Sequence, residues 1–321
     1  MTEIANSELL LNRFYANVDA RGDDVYLVQP TGGGEVTEYT FKAVHEQAAR
    51  MATHLASLGF EPRSKIAIVA KNSAHFFMAE LAIWMAGHVT VALYPTLSAD
   101  AVRYILEHSD AKFAFLGKLD AGPWAEIQKG LVPGMPVIAF PLAPKTDFRK
   151  WDDVVATSAP IEGRPARSFD DPALIIYTSG STGQPKGAVH TFRSLTVPTI
   201  GLAKLLNITK DDRSLSYLPL AHSMDRWLSE MLSLYTGYRV YFAESLDTFV
   251  VDLKRARPTV FVSVPRLWLK FQLGVFQTMP RRRLEFLLKI PFISGRVKRR
   301  ILENLGLDQV RFAEPDPANR T

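Results

Sequence analysis

The chain has 321 residues, which is enough for two globular domains or for one large domain. Hydrophobic residues make up 47% and charged residues 22%, a composition typical of globular proteins and not of disordered chains. Because the sequence contains no cysteine, thiolate nucleophiles of the protein, cysteine-ligated metal sites and disulfide frameworks are excluded.

The net charge of +5 is unevenly distributed along the chain. Residues 281–300 contain eight basic residues and one acidic residue, a balance of +7, so the other residues together carry −2. A chain that is not basic throughout is not expected to bind nucleic acid. The N-terminus lacks the basic cluster and apolar run of a signal peptide, and we therefore expect a cytoplasmic protein.

Helical and strand patterns alternate through the N-terminal half. Strand patterns at 25–29 and 36–40 flank Gly32, Gly33 and Gly34, which predicts a β-hairpin rather than a phosphate loop because no helix start follows. The apolar stretch from Phe76 to Leu93 predicts a buried helix followed by a strand. Further helices are predicted at 43–58, 73–86 and 98–108, and further strands at 65–70, 89–93 and 112–116.

The same alternation resumes after a proline-marked connection at 158–172. Strands are predicted at 173–177, 214–218, 239–242 and 259–264, and helices at 224–235, 246–256 and 266–276. Strands that alternate with helices of this length indicate βαβ units and a mainly parallel sheet. We therefore predict an α/β fold of two doubly wound halves, with subdomains at 1–165 and 166–313.

One segment has the composition of a phosphate site. The sequence ALIIYTSGSTGQPKG at 173–187 leads from an apolar strand into four hydroxyl residues, two glycines and one lysine. Glycines let backbone N–H groups approach an anion, hydroxyls add donors, and lysine supplies a positive charge. Surface loops also contain such residues, but their order here favours a phosphate site. The predicted phosphate-binding residues are Thr178, Ser179, Gly180, Ser181, Thr182, Gly183 and Lys186.

This segment is not a Walker A loop. In that motif Ser or Thr follows the lysine, whereas Lys186 lies between Pro185 and Gly187. A second short strand is expected at 187–190, and a helix begins only near Thr191. The phosphates are therefore expected at a loop between two strands and not at a helix N-terminus.

Residues 177–187 resemble the signature of the AMP-binding, adenylate-forming superfamily, which includes acyl-CoA synthetases. The segment LPLAHSMDR at 218–226 resembles the next motif of that superfamily. The segments AES at 243–245, RPT at 257–259 and VPRLW at 264–268 resemble long-chain acyl-CoA synthetases in particular. The resemblance extends from about residue 20 to about residue 313 and implies the N-terminal domain of such an enzyme.

The resemblance implies ATP, Mg²⁺ and coenzyme A as cofactor and substrates, and a long-chain fatty acid as the acid substrate. By position, Thr178 lies near the Mg²⁺ ion and the α-phosphate, and Lys186 lies near the departing pyrophosphate. Both residues are thus expected to be catalytic. His222 is expected to line the acyl and nucleotide pocket, while Trp227 is expected to be a core residue.

The chemistry implied by the family needs no thiol or acid–base group from the protein. A fatty carboxylate attacks the α-phosphate of ATP, pyrophosphate leaves, and the sulfur of coenzyme A then takes the acyl group from the adenylate. The first step needs alignment and charge neutralisation, which donors, a lysine and Mg²⁺ can supply. Two other interpretations stay open, namely adenylation of an aryl or amino acid and a non-catalytic fragment or pseudoenzyme.

The sequence departs from the family pattern at its C-terminal end. Residues 314–321, EPDPANRT, replace the adenine-binding motif that the resemblance leads us to expect, and no C-terminal lid follows. We interpret 314–321 as an aberrant tail of a truncated or frameshifted chain. We therefore expect no measurable acyl-CoA formation from the chain alone.

The basic segment 281–300 alternates arginine and lysine with leucine, isoleucine and valine. This pattern is typical of a pair of amphipathic helices. Such helices can lie on an anionic membrane, here on the inner face, or can pack onto the domain with a solvated basic face. The sequence leaves both interpretations open.

Overall fold

The structure is a computed structural model, and it describes residues 4–178 and 184–315. In chain order the strands are β1 (Val25–Gly32), β2 (Glu35–Thr40), β3 (Lys65–Val69), β4 (Val89–Leu93), β5 (Ala111–Leu116), β6 (Val137–Ala139), β7 (Arg149–Lys150), β8 (Pro172–Thr178), β9 (Lys186–Thr191), β10 (Arg213–Ser216), β11 (Arg239–Phe242), β12 (Val260–Ser263) and β13 (Phe312–Pro315).

The helices follow the same alternation. They are α1 (Leu10–Arg21), α2 (Phe41–Ser57), α3 (Ala74–Met85), α4 (Ala99–His108), α5 (Ala121–Gly130), α6 (Trp151–Thr157), α7 (Phe192–Leu205), α8 (Ser223–Asp225), α9 (Leu232–Thr236), α10 (Phe249–Ala256), α11 (Pro265–Thr278), α12 (Arg281–Lys289) and α13 (Ile293–Leu305). A 3₁₀ turn at Asn6–Glu8 precedes α1, and a π-helical turn at Arg226–Met231 joins α8 to α9.

The larger sheet of the described chain has seven strands in the order β7-β6-β5-β3-β4-β8-β9. All neighbouring pairs are parallel except β8 and β9, which are antiparallel. The chain adds β4 on one side of β3 and then β5 on the other, so the order reverses between β3 and β5. This reversal is the switch point at which doubly wound folds bind ligands. The predicted α/β class is confirmed.

A second sheet has the order β10-β11-β1-β2, and β12 pairs with β13 alongside it. Strands β1 and β2 form the predicted antiparallel hairpin. The turn between them requires glycine, because Gly32, Gly33 and Gly34 all have positive φ angles.

The sheets do not follow the predicted division at 165/166. Strands β8 and β9 complete the sheet of the N-terminal half, and β1 and β2 complete the sheet of the C-terminal half. Alternation in the sequence identifies strands but not the sheet that each strand joins. The pairing of β1 with β11, for example, joins Leu27 to Val240. The predicted boundary between two subdomains at 165/166 stays a prediction.

The residues assigned to an aberrant tail also begin within regular structure. The backbone at 314 and 315 extends β13 and pairs with Val262 and Ser263 of β12. Residues 316–321 lie outside the part of the chain that the structure describes.

Helix α3 forms the centre of the main core, and every one of its residues is buried. Ser73 caps its first turn by accepting a hydrogen bond from the backbone N–H of Phe76. At the other end, the indole N–H of Trp84 donates to the carbonyl of Ala173 in β8 at 3.0 Å. The predicted buried helix and strand in the apolar stretch are therefore confirmed as α3 and β4.

The two larger sheets are joined where their strands end. Asn72 follows β3, and its amide nitrogen lies 2.8 Å from the hydroxyl of Ser216, the last residue of β10. Lys118 follows β5 and donates to the backbone carbonyls of Ala243 and Glu244, which follow β11. The switch-point crevice of the seven-stranded sheet is therefore bridged by hydrogen bonds to the second sheet.

The C-terminal end of α13 provides a test of the packing. Gly306 has φ +77°, and a Cβ atom there would lie 2.6 Å from Cα of Lys254 in α10. We expect Gly306→Ala to lower the free energy of unfolding by about 2 to 4 kcal/mol, because strain and overlap add. Denaturant unfolding followed by tryptophan fluorescence measures this loss.

The matched control is Gly295→Ala in the same helix. A Cβ atom at Gly295 meets no atom within 4 Å, so its stability should change by less than about 1 kcal/mol. Equal midpoints for the two variants would contradict the packing of α13 on α10.

Candidate functional site

The predicted phosphate segment lies at the open end of a β-hairpin. Thr178 ends β8 and Lys186 begins β9, and the two residues are direct partners in the antiparallel register. Both side chains are exposed. Directly opposed residues of an antiparallel pair point to the same face, so the hydroxyl and the ammonium group lie side by side. Ser179, Gly180, Ser181, Thr182 and Gly183 lie outside the described residues, and their roles stay predictions.

Close packing of Ile175 and Tyr177 against Gly187 fixes the open end of the β8–β9 hairpin. A Cβ atom on Gly187 would lie 2.9 Å from Cγ2 of Ile175 and 3.0 Å from Cζ of Tyr177, so glycine lets the tyrosine ring lie against the β9 backbone. The hydroxyl of Tyr177 is 2.8 Å from Nδ1 of His108 in α4. Tyr177, which is next to Thr178, thus links the end of β8 to α4.

A second segment, residues 218–226, is held by Asn72. The amide nitrogen of Asn72 lies 2.6 Å from the carbonyl of Leu218 and 2.7 Å from the carboxylate of Asp225. The amide oxygen of Asn72 accepts a hydrogen bond from the backbone N–H of Leu220. One buried amide therefore fixes both ends of the loop that carries His222.

His222 is half-buried and caps α8. Its Nδ1 accepts a hydrogen bond of 3.2 Å from the backbone N–H of Met224. The neutral ring therefore carries its proton on Nε2. Nε2 has no hydrogen-bond partner among the described residues, and its N–H can donate to a bound ligand.

An apolar cavity of about 750 Å³, which we call the α8 cavity, begins directly after His222. Its walls come from α7, α8, the π-helical turn and the strands β12 and β13. The lining residues are Leu202, Leu205, Leu206, Ser223, Met224, Trp227, Leu228, Val262, Arg311 and Phe312. His222 itself does not line the cavity, although its two following neighbours do.

Trp227 is a wall of the α8 cavity as well as a core residue. It packs against the main core, which agrees with its predicted core role, and it is also partly exposed and lines the α8 cavity. Its buried indole N–H has no hydrogen-bond partner within residues 4–178 and 184–315. An unpaired buried donor at an apolar cavity is a candidate contact for a polar group of a ligand.

His190 connects the hairpin to this cavity, and sequence analysis did not identify it. Lys186 and His190 are four residues apart on β9, so their side chains share one face about 13 Å apart along the strand. The His190 ring lies 5.4 Å from the Trp227 ring in an edge contact. Burial, and next the nearby Arg226, lower the pKa of His190, which keeps the imidazole neutral at pH 7.

The π-helical turn is anchored by a buried ion cluster. Nη1 of Arg226 contacts Glu80 of α3 and lies 2.8 Å from Glu230, and all three side chains are at most 1% exposed. The guanidinium also lies over the ring of Phe76 at 4.9 Å. Burial, and next the charge of Glu80, raise the pKa of Glu230 well above its ordinary value. A signal for this cluster was present in the sequence, because Glu80 is the acidic residue of a helix whose other residues, except His75, are apolar.

Beside this cluster, Asp225 is buried within hydrogen bonds. Ser229 donates to its Oδ1 at 2.6 Å and Ser216 to its Oδ2 at 2.7 Å. Burial raises the pKa of Asp225 to about 6, although the hydrogen bonds from Ser229, Ser216 and Asn72 oppose the rise. The carboxylate thus fixes the start of the π-helical turn to the end of β10.

The described residues fit a polyphosphate better than a bare metal ion. Thr178 and Lys186 present a hydroxyl and a cation side by side in solvent, which suits phosphate oxygens. Among residues 4–178 and 184–315 no group of three or more histidine or acidic side chains could hold a metal. A Mg²⁺ ion here would therefore be held chiefly by the phosphates, with Thr178 as the predicted contact from the protein.

Comparison with known proteins gives one family. The model of the family described as "AMP-binding enzyme" matches residues 14–297. The chain is 32% identical over 266 residues to "Long chain acyl-CoA synthetase 6, peroxisomal" of Arabidopsis thaliana, covering 77% of this chain and 37% of that protein. It is 28% identical over 248 residues to human "Long-chain-fatty-acid--CoA ligase ACSBG2", covering 72% and 37%.

Solved structures support the fold. The benzoate CoA ligase from Burkholderia xenovorans LB400 superposes with a TM-score of 0.68 at 22% sequence identity, covering 92% of this chain and 57% of that one. At this identity the likeness concerns the fold alone. The chain spans about two fifths of the length of the curated relatives described above.

The raised pKa of Asp225 predicts a pH-dependent stability. The folded chain holds the proton with a pKa of about 6, whereas the ordinary value is 3.8. The free energy of unfolding should therefore fall as the pH rises from about 4 to about 6 and level off above that, by about 3 kcal/mol in total. Asp225→Asn removes this titration.

Urea unfolding between pH 4 and pH 7 gives the free energy of unfolding of the chain and of Asp225→Asn. The difference between these two free energies at each pH measures the contribution of Asp225. Asp153→Asn, at an exposed position, serves as the control. A difference between the chain and Asp225→Asn that stays constant across this range would contradict the prediction.

Proposed function

The chain belongs to the AMP-binding enzyme family, and on this basis we propose that the protein activates a long-chain fatty acid with ATP and transfers the acyl group to coenzyme A. The observation that carries the proposal is the shared face of β9. Lys186 lies at the phosphate end of this face, and His190, further along, contacts Trp227 at the α8 cavity. A nucleotide phosphate and an apolar acyl chain can therefore reach the same side of the hairpin.

In the proposed first step, a carboxylate oxygen of the fatty acid bonds to the α-phosphorus of ATP. The bond from this phosphorus to the bridging oxygen breaks, and pyrophosphate leaves with the electron pair. Lys186 neutralises charge on the departing phosphates, and the hydroxyl of Thr178 donates to a phosphate oxygen. Bound Mg²⁺ supplies further positive charge at the phosphates.

The apolar groups of the site position the acid. The α8 cavity of about 750 Å³ is within the size range of small-molecule pockets and is lined mostly by aliphatic and aromatic side chains. The N–H groups of His222 and Trp227 can then orient the carboxylate end. In the second step the thiol of coenzyme A attacks the acyl carbonyl and AMP leaves, a step that needs no cysteine of the protein.

Adenylation of an aryl or amino acid is the second candidate. It is favoured by the shared fold with the benzoate CoA ligase. The volume and mostly aliphatic lining of the α8 cavity favour a long alkyl chain over a ring. A non-catalytic fragment stays the third interpretation.

Replacing Lys186 tests the phosphate role. We expect Lys186→Ala to weaken the binding of ATP with Mg²⁺ by about tenfold or more, because a charge-assisted hydrogen bond is lost. Lys210→Ala, at an exposed lysine outside the hairpin, should change the affinity by less than about twofold. Displacement of a fluorescent ATP analogue measures both. Equal affinities of the two variants would contradict the proposed phosphate site.

The same variants decide whether the 321-residue chain is active by itself. We expect no thioester from ATP, Mg²⁺, palmitate and coenzyme A, because no group of three or more histidine or acidic side chains among the described residues could hold the metal. Palmitoyl-CoA formation that disappears in Lys186→Ala would show that the chain is a working enzyme. Turnover of benzoate but not of palmitate would favour the aryl acid.

We also propose that helices α12 and α13 bring the protein to an anionic membrane surface. Neither helix has a fully buried residue, and Phe286 and Phe292 are 65% and 90% exposed. Basic residues surround these aromatic side chains throughout 281–300. No helix in the described ranges is long and apolar enough to cross a bilayer, so the proposal concerns contact with the surface.

Vesicle sedimentation tests this contact. At low salt the chain should sediment with vesicles that contain phosphatidylserine, and the triple variant with glutamine at Arg282, Arg283 and Lys289 should bind about a hundredfold less. Glutamine at three exposed lysines elsewhere, Lys42, Lys145 and Lys204, provides a charge-matched control. A chain that does not sediment with anionic vesicles at low salt would end the membrane proposal.

A further inference from the structure

A second and larger cavity, of about 1250 Å³, lies among α10, α11 and α13, and we call it the α11 cavity. It shares no lining residue with the α8 cavity. Buried Phe249 and Phe271 belong to the small core cluster beneath it. The other apolar lining residues are Leu246, Val250, Val264, Leu267, Val275, Met279, Val297, Ile301 and Leu305.

The charged residues of this cavity are unbalanced. Arg266 and Lys270 lie one helical turn apart on α11, and Arg300 approaches from α13. None of the three has an ion-pair partner among residues 4–178 and 184–315, whereas other arginines at the described surface do, for example Arg50 with Glu46 and Arg193 with Asp170. Asp247 is the acidic side chain of the lining, so its charged residues carry +2.

An apolar cavity bordered by unpaired cations suits one class of ligand. The apolar walls favour an alkyl chain, since burial of each methylene group is worth about 0.8 kcal/mol. The cations favour an anionic head group at the rim, where all three basic side chains are exposed. A neutral lipid would leave the positive charges without a partner, and a small anion would leave the apolar walls in water.

We propose that the α11 cavity binds an amphipathic anion with a single long alkyl chain, either a fatty carboxylate or an acyl-CoA. The cavity volume exceeds that of ordinary small-molecule pockets, which suits a long flexible chain. This binding site is separate from the α8 cavity and does not depend on the proposed adenylation. A chain without any adenylating activity would still bind the anion here.

Two glycines give a matched pair of variants. Gly274 lines the cavity on α11, and a Cβ atom there meets no atom within 4 Å. Gly295 on α13 has the same open surroundings but does not line the cavity. Leucine at either position replaces a helical glycine and should not destabilise the fold. Gly274→Leu therefore fills the cavity, and Gly295→Leu is the control.

The probe is cis-parinaric acid, a fatty acid whose fluorescence rises in apolar surroundings, titrated without nucleotide. We expect Gly274→Leu to weaken its binding by about tenfold and Gly295→Leu by less than about twofold. Glutamine at Arg266 and Lys270 together should weaken binding by about tenfold, whereas glutamine at Arg282 and Arg283, which do not line the cavity, should have little effect. Leu205→Trp, which narrows the α8 cavity, should remove only the share of the probe that the proposed acyl site binds, and it should leave the effect of Gly274→Leu unchanged.

Competition experiments distinguish a fatty carboxylate from an acyl-CoA as the bound anion. Displacement of the probe by palmitate alone assigns a fatty carboxylate, and stronger displacement by palmitoyl-CoA assigns the thioester. Three results would overturn the proposal: no binding of the probe, equal displacement by the uncharged alcohol hexadecanol, or a loss of binding in Leu205→Trp but not in Gly274→Leu. These results leave the test of the adenylation site at Lys186 unaffected.

Discussion

The hydrogen bonds of Asn72 are the contact on which the arrangement of the candidate site depends. This buried side chain follows the central strand of the seven-stranded sheet and reaches Ser216, Leu218, Leu220 and Asp225. A backbone carbonyl buried in this way would cost about 1 to 3 kcal/mol if left unpaired, and a buried carboxylate would cost more. The second sheet is therefore fixed to the first where β3 and β10 both end.

This junction explains why the candidate ligand residues lie away from the usual crevice of a doubly wound sheet. At the switch point between β3 and β5, Asn72 and Lys118 are both committed to the second sheet. Burial lowers the pKa of Lys118, with Lys71 as the next cause, and its ammonium is held by backbone carbonyls. The exposed hydroxyl and cation instead lie at the end of β8 and β9, at the edge of the same sheet.

Most helices and strands could be predicted from the sequence because their signals are local, although α1, α5, α6, β6, β7 and β13 were not predicted. Ser73 and Ser98 cap the first turns of α3 and α4 with their hydroxyl oxygens, and the hairpin at Gly32–Gly34 forms as predicted. Sheet membership, the contact of His190 with Trp227 and the partners of Arg226 could not be predicted, since each joins residues distant in sequence. Thr178 and Lys186 were found by composition and resemblance, and only the register shows that they are directly opposite.

The buried ions of the π-helical turn restrict the position of the backbone that carries them. Replacing a buried ion pair with apolar residues is often neutral or stabilising, so Arg226, Glu80 and Glu230 are not needed merely to hold α3 against the turn. A single guanidinium between two carboxylates does, however, permit few arrangements of the backbone that carries it. Trp227 is the next residue, and its indole contacts His190 and lines the α8 cavity. The ion cluster therefore sets the position of a cavity wall, and through it the distance between Lys186 at the start of β9 and the apolar cavity.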